Sequence, residues 1–144
     1  MTDAEVRAAR RERLRFVDFD FDRLANGRCR ARVTLEWSPG EPMVGDAEGL
    51  GSDAGALRCA AEATLDAIEH AVDGRVEFEL LGVKAVRAFD AMVLIVSLSS
   101  RTAGEHHRLV GSYLAEEDSP RGAAIAVLNA TNRLLGNIFS RDAA

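Results

Sequence analysis

Proline occurs only three times, cysteine twice, and tryptophan and tyrosine once each in 144 residues. Cys29 and Cys59 stand apart, in no CxxC pair and beside no histidine, so a disulfide framework, a zinc site and a redox motif all lack support. They read as buried structural thiols. No run approaches the ~20 consecutive apolar residues of a membrane span, and Met1 to Arg13 has no apolar core of the secretory kind. The expectation is a cytoplasmic protein with no membrane partner. With a formal net charge of −5, the chain also lacks the basic footprint that phosphate backbones require, which argues against nucleic acid. Aromatic residues make up 6% of the chain while alanine is abundant, a balance that suits closely approaching elements.

What is present is a repeat. Ala60-Ala61-Glu62-Ala63-Thr64-Leu65-Asp66-Ala67-Ile68 returns as Ala123-Ala124-Ile125-Ala126-Val127-Leu128-Asn129-Ala130-Thr131, with the same small-residue frame. A chain of about 150 residues buries roughly 70% of its unfolded surface, enough for one core. Residues 1–13 are expected to form a flexible or short helical arm, rich in arginine. Residues 14–144 then form one domain made of repeats 14–74 and 75–140. An arginine-rich arm could touch an acidic partner or RNA, but a solvated terminal segment is the simpler reading.

From Phe16 the pattern has a period of two: Val17, Phe19 and Phe21 alternate with Asp18, Asp20 and Asp22. Cys29, Ala31, Val33, Leu35 and Trp37 then alternate with Arg28, Arg30 and Arg32, and Asn26-Gly27 marks a hairpin between the two runs. A two-residue loop would set Asp22 opposite Ala31, polar face against apolar face, and fails on that ground. A three-residue loop, Ala25-Asn26-Gly27 with Gly27 left-handed, sets Asp22 across from Arg30, Asp20 across from Arg32 and Phe19 across from Val33. The aspartate row is therefore read as cross-strand ion pairing, in preference to a metal site.

A third strand is expected from Met43 to Glu48, then the loop Gly49-Leu50-Gly51-Ser52-Asp53 and a helix from about Asp53 to Val72. Ala56, Ala60, Ala63, Ala67 and Ala71 form its buried stripe. Ser52 or Asp53 would cap it, and Asp73-Gly74 would end it. In the second half Val76, Phe78 and Leu80 begin a strand that passes a bulge at Gly82. Met92 to Leu98 reads as a central strand covered on both faces. A polar turn over Ser99 to Gly104 leads to a strand from His106 to Ala115. Ser119 caps the last helix, Pro120 takes its first position, and the helix ends near Gly136, with Ile138 and Phe139 folding back. The fold class is α+β: two tandem βββα units with pseudo-two-fold symmetry, antiparallel sheets with two helices packed on them.

Catalytic candidates are few. His106 and His107 are adjacent in a strand and point to opposite faces, so they cannot share a metal. His70 sits near a helix C-terminus, where a cation suits the dipole. No hydrolase elbow, phosphate loop or zinc-protease helix is written in the chain.

The plan resembles the C-terminal regulatory domain of the 2-isopropylmalate, citramalate and homocitrate synthase family over about residues 14 to 136. The family's Gly-x-Gly-Pro-x-Asp-Ala loop is matched by Gly49-Leu50-Gly51-Ser52-Asp53-Ala54, which lacks the proline. Its Leu-x-x-Tyr-x-Val-x-Ala strand is matched by Leu80-Leu81-Gly82-Val83-Lys84-Ala85-Val86, its Asp-Ala by Asp90-Ala91, and its closing helix by Asn129-Ala130-Thr131-Asn132-Arg133-Leu134. The second loop, Glu117-Asp118-Ser119-Pro120-Arg121-Gly122, departs from the family's Ser-Thr-Asp-Ile type. The family's catalytic barrel needs about 250 residues and is absent from the chain.

The resemblance implies a free-standing, non-enzymatic regulatory domain. It would be a homodimer without metal or cofactor, binding a small metabolite such as an amino acid or keto acid, or acting on a partner enzyme. Helix N-termini with glycine-rich approaches can hold a carboxylate on free backbone N–H groups. The candidate ligand-binding residues are accordingly Gly49, Gly51, Ser52, Asp53, Asp118, Ser119 and Arg121, with simple capping as the competing reading for Asp53 and Ser119. A dimerisation or scaffold module without a small ligand is the alternative, and a small enzyme the third reading.

Overall fold

The computed structural model describes residues 14–37, 40–116 and 119–142, with the side chains of Trp37 and of residues 137–142 excepted. The expectations for the arm over residues 1–13, for Ser38-Pro39 and for Glu117 and Asp118 lie outside the described residues, as does the packing of the Ile138 and Phe139 side chains, whose backbone continues the last helix. The order of elements is β1 (Leu14–Arg23), a 3-10 turn (Ala25–Gly27), β2 (Arg28–Trp37), β3 (Pro42–Leu50), α1 (Asp53–Ala71), β4 (Glu77–Ala88), β5 (Ala91–Thr102), β6 (Glu105–Ala115) and α2 (Pro120–Asp142). β1-β2-β3 and β4-β5-β6 are two separate antiparallel sheets, so the architecture is α+β with two βββα units.

The first hairpin has the register that charge and face demand. Asp22 pairs with Arg30, Asp20 with Arg32 and Phe19 with Val33. Asn26 and Gly27 both take positive φ, 67° and 70°, which those two residue types tolerate. The ion pairs differ in part from the sequence expectation. Arg30 reaches Asp22 at 3.4 Å, but Arg32 turns to Asp46 on β3 at 2.7 Å. That hydrogen bond, and then the carboxylate's charge, hold the Arg32 guanidinium above its ordinary pKa.

A bulge between Phe16 and Asp18 corrects the face expected for Val17. Phe16, Phe19 and Phe21 pack against the core, while Val17 is pushed outward and exposed. β3 runs on through Gly49 and Leu50, because β2 continues to offer ladder partners as far as Arg28. β5 likewise continues through Ser99 to Thr102, so the turn shrinks to Ala103-Gly104, both with positive φ. β5 is not covered on both faces: Leu94, Val96, Leu98 and Ser100 are buried, whereas Val93, Ile95, Ser97 and Ser99 on the other face are only half-buried. The expected stop of the last helix at Gly136 is also corrected, since α2 passes through Gly136 to Asp142. One glycine in a helix costs only about 1 kcal/mol, too little to end it alone.

Each helix covers the middle and last strands of its own sheet and also touches the first strand of the other unit, α1 against β4 and α2 against β1; the helices also meet each other. A single apolar cluster results. It joins Cys29, Ala31, Val33 and Leu35 of β2, Leu94, Val96 and Leu98 of β5, and the alanine stripes of both helices. Leu35, Ile68, Leu94 and Leu98 are fully buried, each worth about 1.5–3 kcal/mol of transfer free energy.

Candidate functional site

The first turns of both helices contribute to one cleft. Ser52 caps α1, its Oγ accepting from the N–H of Gly55 at 3.1 Å, and Ser119 caps α2 in the same way from Gly122 at 3.1 Å. Of the two possible caps for α1 Ser52 takes the role, leaving the Asp53 carboxylate 92% exposed in the first turn, where it complements the helix dipole. Pro120 brings no N–H, and Ala123 donates to the Ser119 carbonyl.

Between these starts lies an open cleft of about 120 Å³ lined by Arg23, Asp53, Ala56, Leu57 and Pro120. Arg23 closes its β1 side. One of its guanidinium nitrogens donates to the carbonyl of Gly51, the other lies 3.9 Å from the Asp53 carboxylate, and the group stands over the Phe21 ring at 5.6 Å. The tip of the β1–β2 hairpin is tied to the same loop, because Gly51 donates its N–H to the Gly27 carbonyl at 2.7 Å. A side chain at Gly51 would press on that carbonyl at 3.0 Å, so this glycine serves close approach of two backbones.

Of the seven sequence candidates Asp53 alone lines this cleft, and four others are chain neighbours of its lining residues. Gly51 and Ser52 precede Asp53 at the start of α1, the Gly51 carbonyl accepting from Arg23, and Ser119 and Arg121 flank Pro120 in the chain. Gly49 does not belong. It is a ladder residue of β3 paired with Cys29, and an added Cβ there would meet nothing within 4 Å. Asp118 lies outside the described residues. Arg121 is occupied by the Phe16 ring, its guanidinium carbon 4.8 Å from the ring centroid. Sequence reasoning missed Arg23. Its signal was positional only, as the last residue of a strand before a hairpin, and its function depends on where that hairpin docks.

In two larger concavities most of the charged side chains already have partners within the chain. A groove of about 360 Å³ runs between α1 and β4. There Glu62 pairs with Arg58 at 3.2 Å, Glu69 accepts from the N–H of Phe78 at 3.1 Å, and Asp66 accepts from the N–H of Asp46 at 3.0 Å. A second, of about 300 Å³, is lined by Asp20, Asp22, Arg30 and Arg32, of which Arg30 pairs with Asp22 and Arg32 with Asp46 outside it. His70 bridges elements, with Nδ1 2.9 Å from the Val44 carbonyl and Nε2 3.8 Å from Asp66. Cys29 and Cys59 are free and buried, as the sequence indicates. Burial, and then a hydrogen bond with Cys29, push the Cys59 thiol up to about 12. Among the described residues no group of three or more metal-ligating side chains converges, and no helix is long and apolar enough to cross a membrane.

No known family's sequence model matches this chain, and no curated protein matches its sequence.

Proposed function

We propose that the chain is a non-enzymatic regulatory domain that senses a small carboxylate metabolite, an amino acid or keto acid, in the manner of the 2-isopropylmalate synthase regulatory domain it resembles. The observation that supports this reading is Arg23 at the meeting of two helix starts. A guanidinium carries five donors in a planar fork. Here one nitrogen is spent on the Gly51 carbonyl and a loose, exposed pair is made with Asp53, so an incoming carboxylate has donors to take. The cleft is below the ~300 Å³ of common ligand sites, which restricts it to a small head group with a short apolar tail against Ala56 and Leu57.

Titration calorimetry and thermal shift across branched-chain amino acids and 2-keto acids test the reading. Binding is expected for at least one of them, with an affinity at least tenfold weaker in Arg23→Ala. No heat and no shift across the whole set sinks it.

A second reading, a dimerisation or scaffold module without a small ligand, is favoured by a different observation: the outer face of β4-β5-β6 exposes Leu81, Val110 and Leu114.

A further inference from the structure

The two sheets present unlike outer faces. That of β1-β2-β3 carries Asp18, Asp20, Asp22, Arg30, Arg32, Asp46 and Glu48, and both of its arginines are taken up within the face, Arg30 by Asp22 and Arg32 by Asp46. That of β4-β5-β6 carries apolar side chains over half its length, interrupted by Lys84, Ser97 and Ser112. The register aligns Val86, Val93 and Leu114 in one row and Gly82, Ser97 and Val110 in another, with Leu81 at the bulge beside it. Val110 and Leu114 are 66% and 67% exposed. Exposed apolar side chains gathered on one sheet face in this way mark an interaction site.

The charged end of the same face points to its occupant. Along β4 it bears Glu77 and Glu79, and along β6, in the same two rows, His106 and Arg108. A second copy related by a two-fold axis running along β5 lays β4 of one chain over β6 of the other, row on row. Glu79 then meets the second copy's Arg108, Glu77 its His106, Leu81 its Val110, Val86 its Leu114, and Lys84 its Ser112. Arg101, on the axis, keeps its own Glu77 at 3.9 Å. Packed sheets cross at about 30°. Centred on Ser97, that rotation displaces Glu79 from the second copy's Arg108 by about 4 Å, within reach of both side chains, and the outer pairs Glu77–His106 and Val86–Leu114 by about 7 Å, so the Glu79–Arg108 pair is the one that fixes the alignment.

We propose that this face is the homodimer interface, with strands of the two copies aligned and Glu79 of each copy paired with Arg108 of the other across the seam. This deepens the association reading and stands apart from the ligand reading. Strands of 12, 12 and 11 residues give a flat footprint of about 550 Å² before side-chain relief is added. That lies near the ~600 Å² per partner at the lower limit of specific interfaces, so a weak, concentration-dependent dimer is expected.

Sedimentation velocity on the full chain, from about 1 to 200 µM, tests it. The wild type is expected to be a dimer at the upper end, with identical circular dichroism in every variant. Val110→Glu should be monomeric throughout. Val44→Glu, at the corresponding place on the other sheet, should dimerise like the wild type. Arg108→Glu should weaken the dimer at least tenfold, and Glu79→Arg with Arg108→Glu should return it to within about threefold of wild type. A wild type that stays monomeric overturns both this proposal and self-association. A dimer that Val110→Glu leaves intact, or that the paired reversal fails to restore, overturns the proposed face while self-association stands.

Discussion

A methyl group added at Gly45 would lie 2.9 Å from the Cα of Ala67, and closer still to that residue's backbone nitrogen. The second unit repeats the contact at Gly111, where the added carbon would meet Ala130 Cβ at 2.6 Å. Ala67 and Ala130 hold the same place in the repeated segment, so each glycine and alanine pair sets the distance at which a helix lies on its sheet. Gly45→Ala and Gly111→Ala should each destabilise the fold by about 1–3 kcal/mol, the usual range for overpacking. Urea denaturation midpoints measure this. Gly49→Ala is the control, since that position is open, and a loss there as large as at Gly45 would count against a packing origin.

The same pairing of helix and third strand has a polar half. Asp66 accepts from the Asp46 N–H at 3.0 Å, and the matching residue Asn129 donates to the Ser112 carbonyl at 2.9 Å. Asp66→Asn keeps an acceptor and should be near neutral. Asn129→Asp loses the donor and sets a carboxylate against a carbonyl. It should cost about 1 kcal/mol at neutral pH, and the cost should fade below about pH 4, where the new carboxyl protonates and donates again. Stability curves for the two variants between pH 3 and 7 decide it.

Ser100 is fully buried, and its hydroxyl has no hydrogen-bond partner among the described residues. An unpartnered buried hydroxyl is a cost the fold carries. Ser100→Ala should raise stability by about 1 kcal/mol in chemical denaturation. A loss of stability would mean that the hydroxyl is satisfied.

Cys59 titrates near 9.0 when unfolded and is pushed up to about 12 in the fold by burial and its neighbour Cys29. Its contribution to stability is therefore fully present below about pH 9. It is lost progressively as pH rises from 9 toward 12, because only the unfolded chain releases the proton in that range. Cys59→Ala should flatten the alkaline limb of the stability profile. Both thiols should resist alkylation at pH 8 until denaturant is added.

The periodicities of two and 3.6 made the six strands and two helices legible, because burial on one face is written into residue order. The hairpin register was legible for a second reason: Asp20, Asp22, Arg30 and Arg32 admit one alignment that also keeps Phe19 and Val33 on the same face. What failed were strand ends and faces. Gly49-Leu50 and Ser99-Ser100 read as loop, yet the neighbouring strand still offers hydrogen bonds there, and ladder partners are not local information. The candidate site was half legible. Its two capping serines announce themselves in sequence, whereas Arg23 becomes part of the cleft only when the β1–β2 hairpin docks on the Gly51 loop.

The repeated alanine frame by itself determined the architecture: two helices with small faces need two flat partners, and the two sets of alternating strands supply them. Only the tertiary structure decided which surfaces were left over. Each helix has a single covering face, so each sheet keeps an outer face open to solvent. Whether that face is self-paired, as with Arg30 and Asp22, or apolar, as with Val110 and Leu114, depends on which residues the register sets side by side. Register and docking are non-local, and the cleft at Arg23 and the apolar face of the second sheet both arise from them.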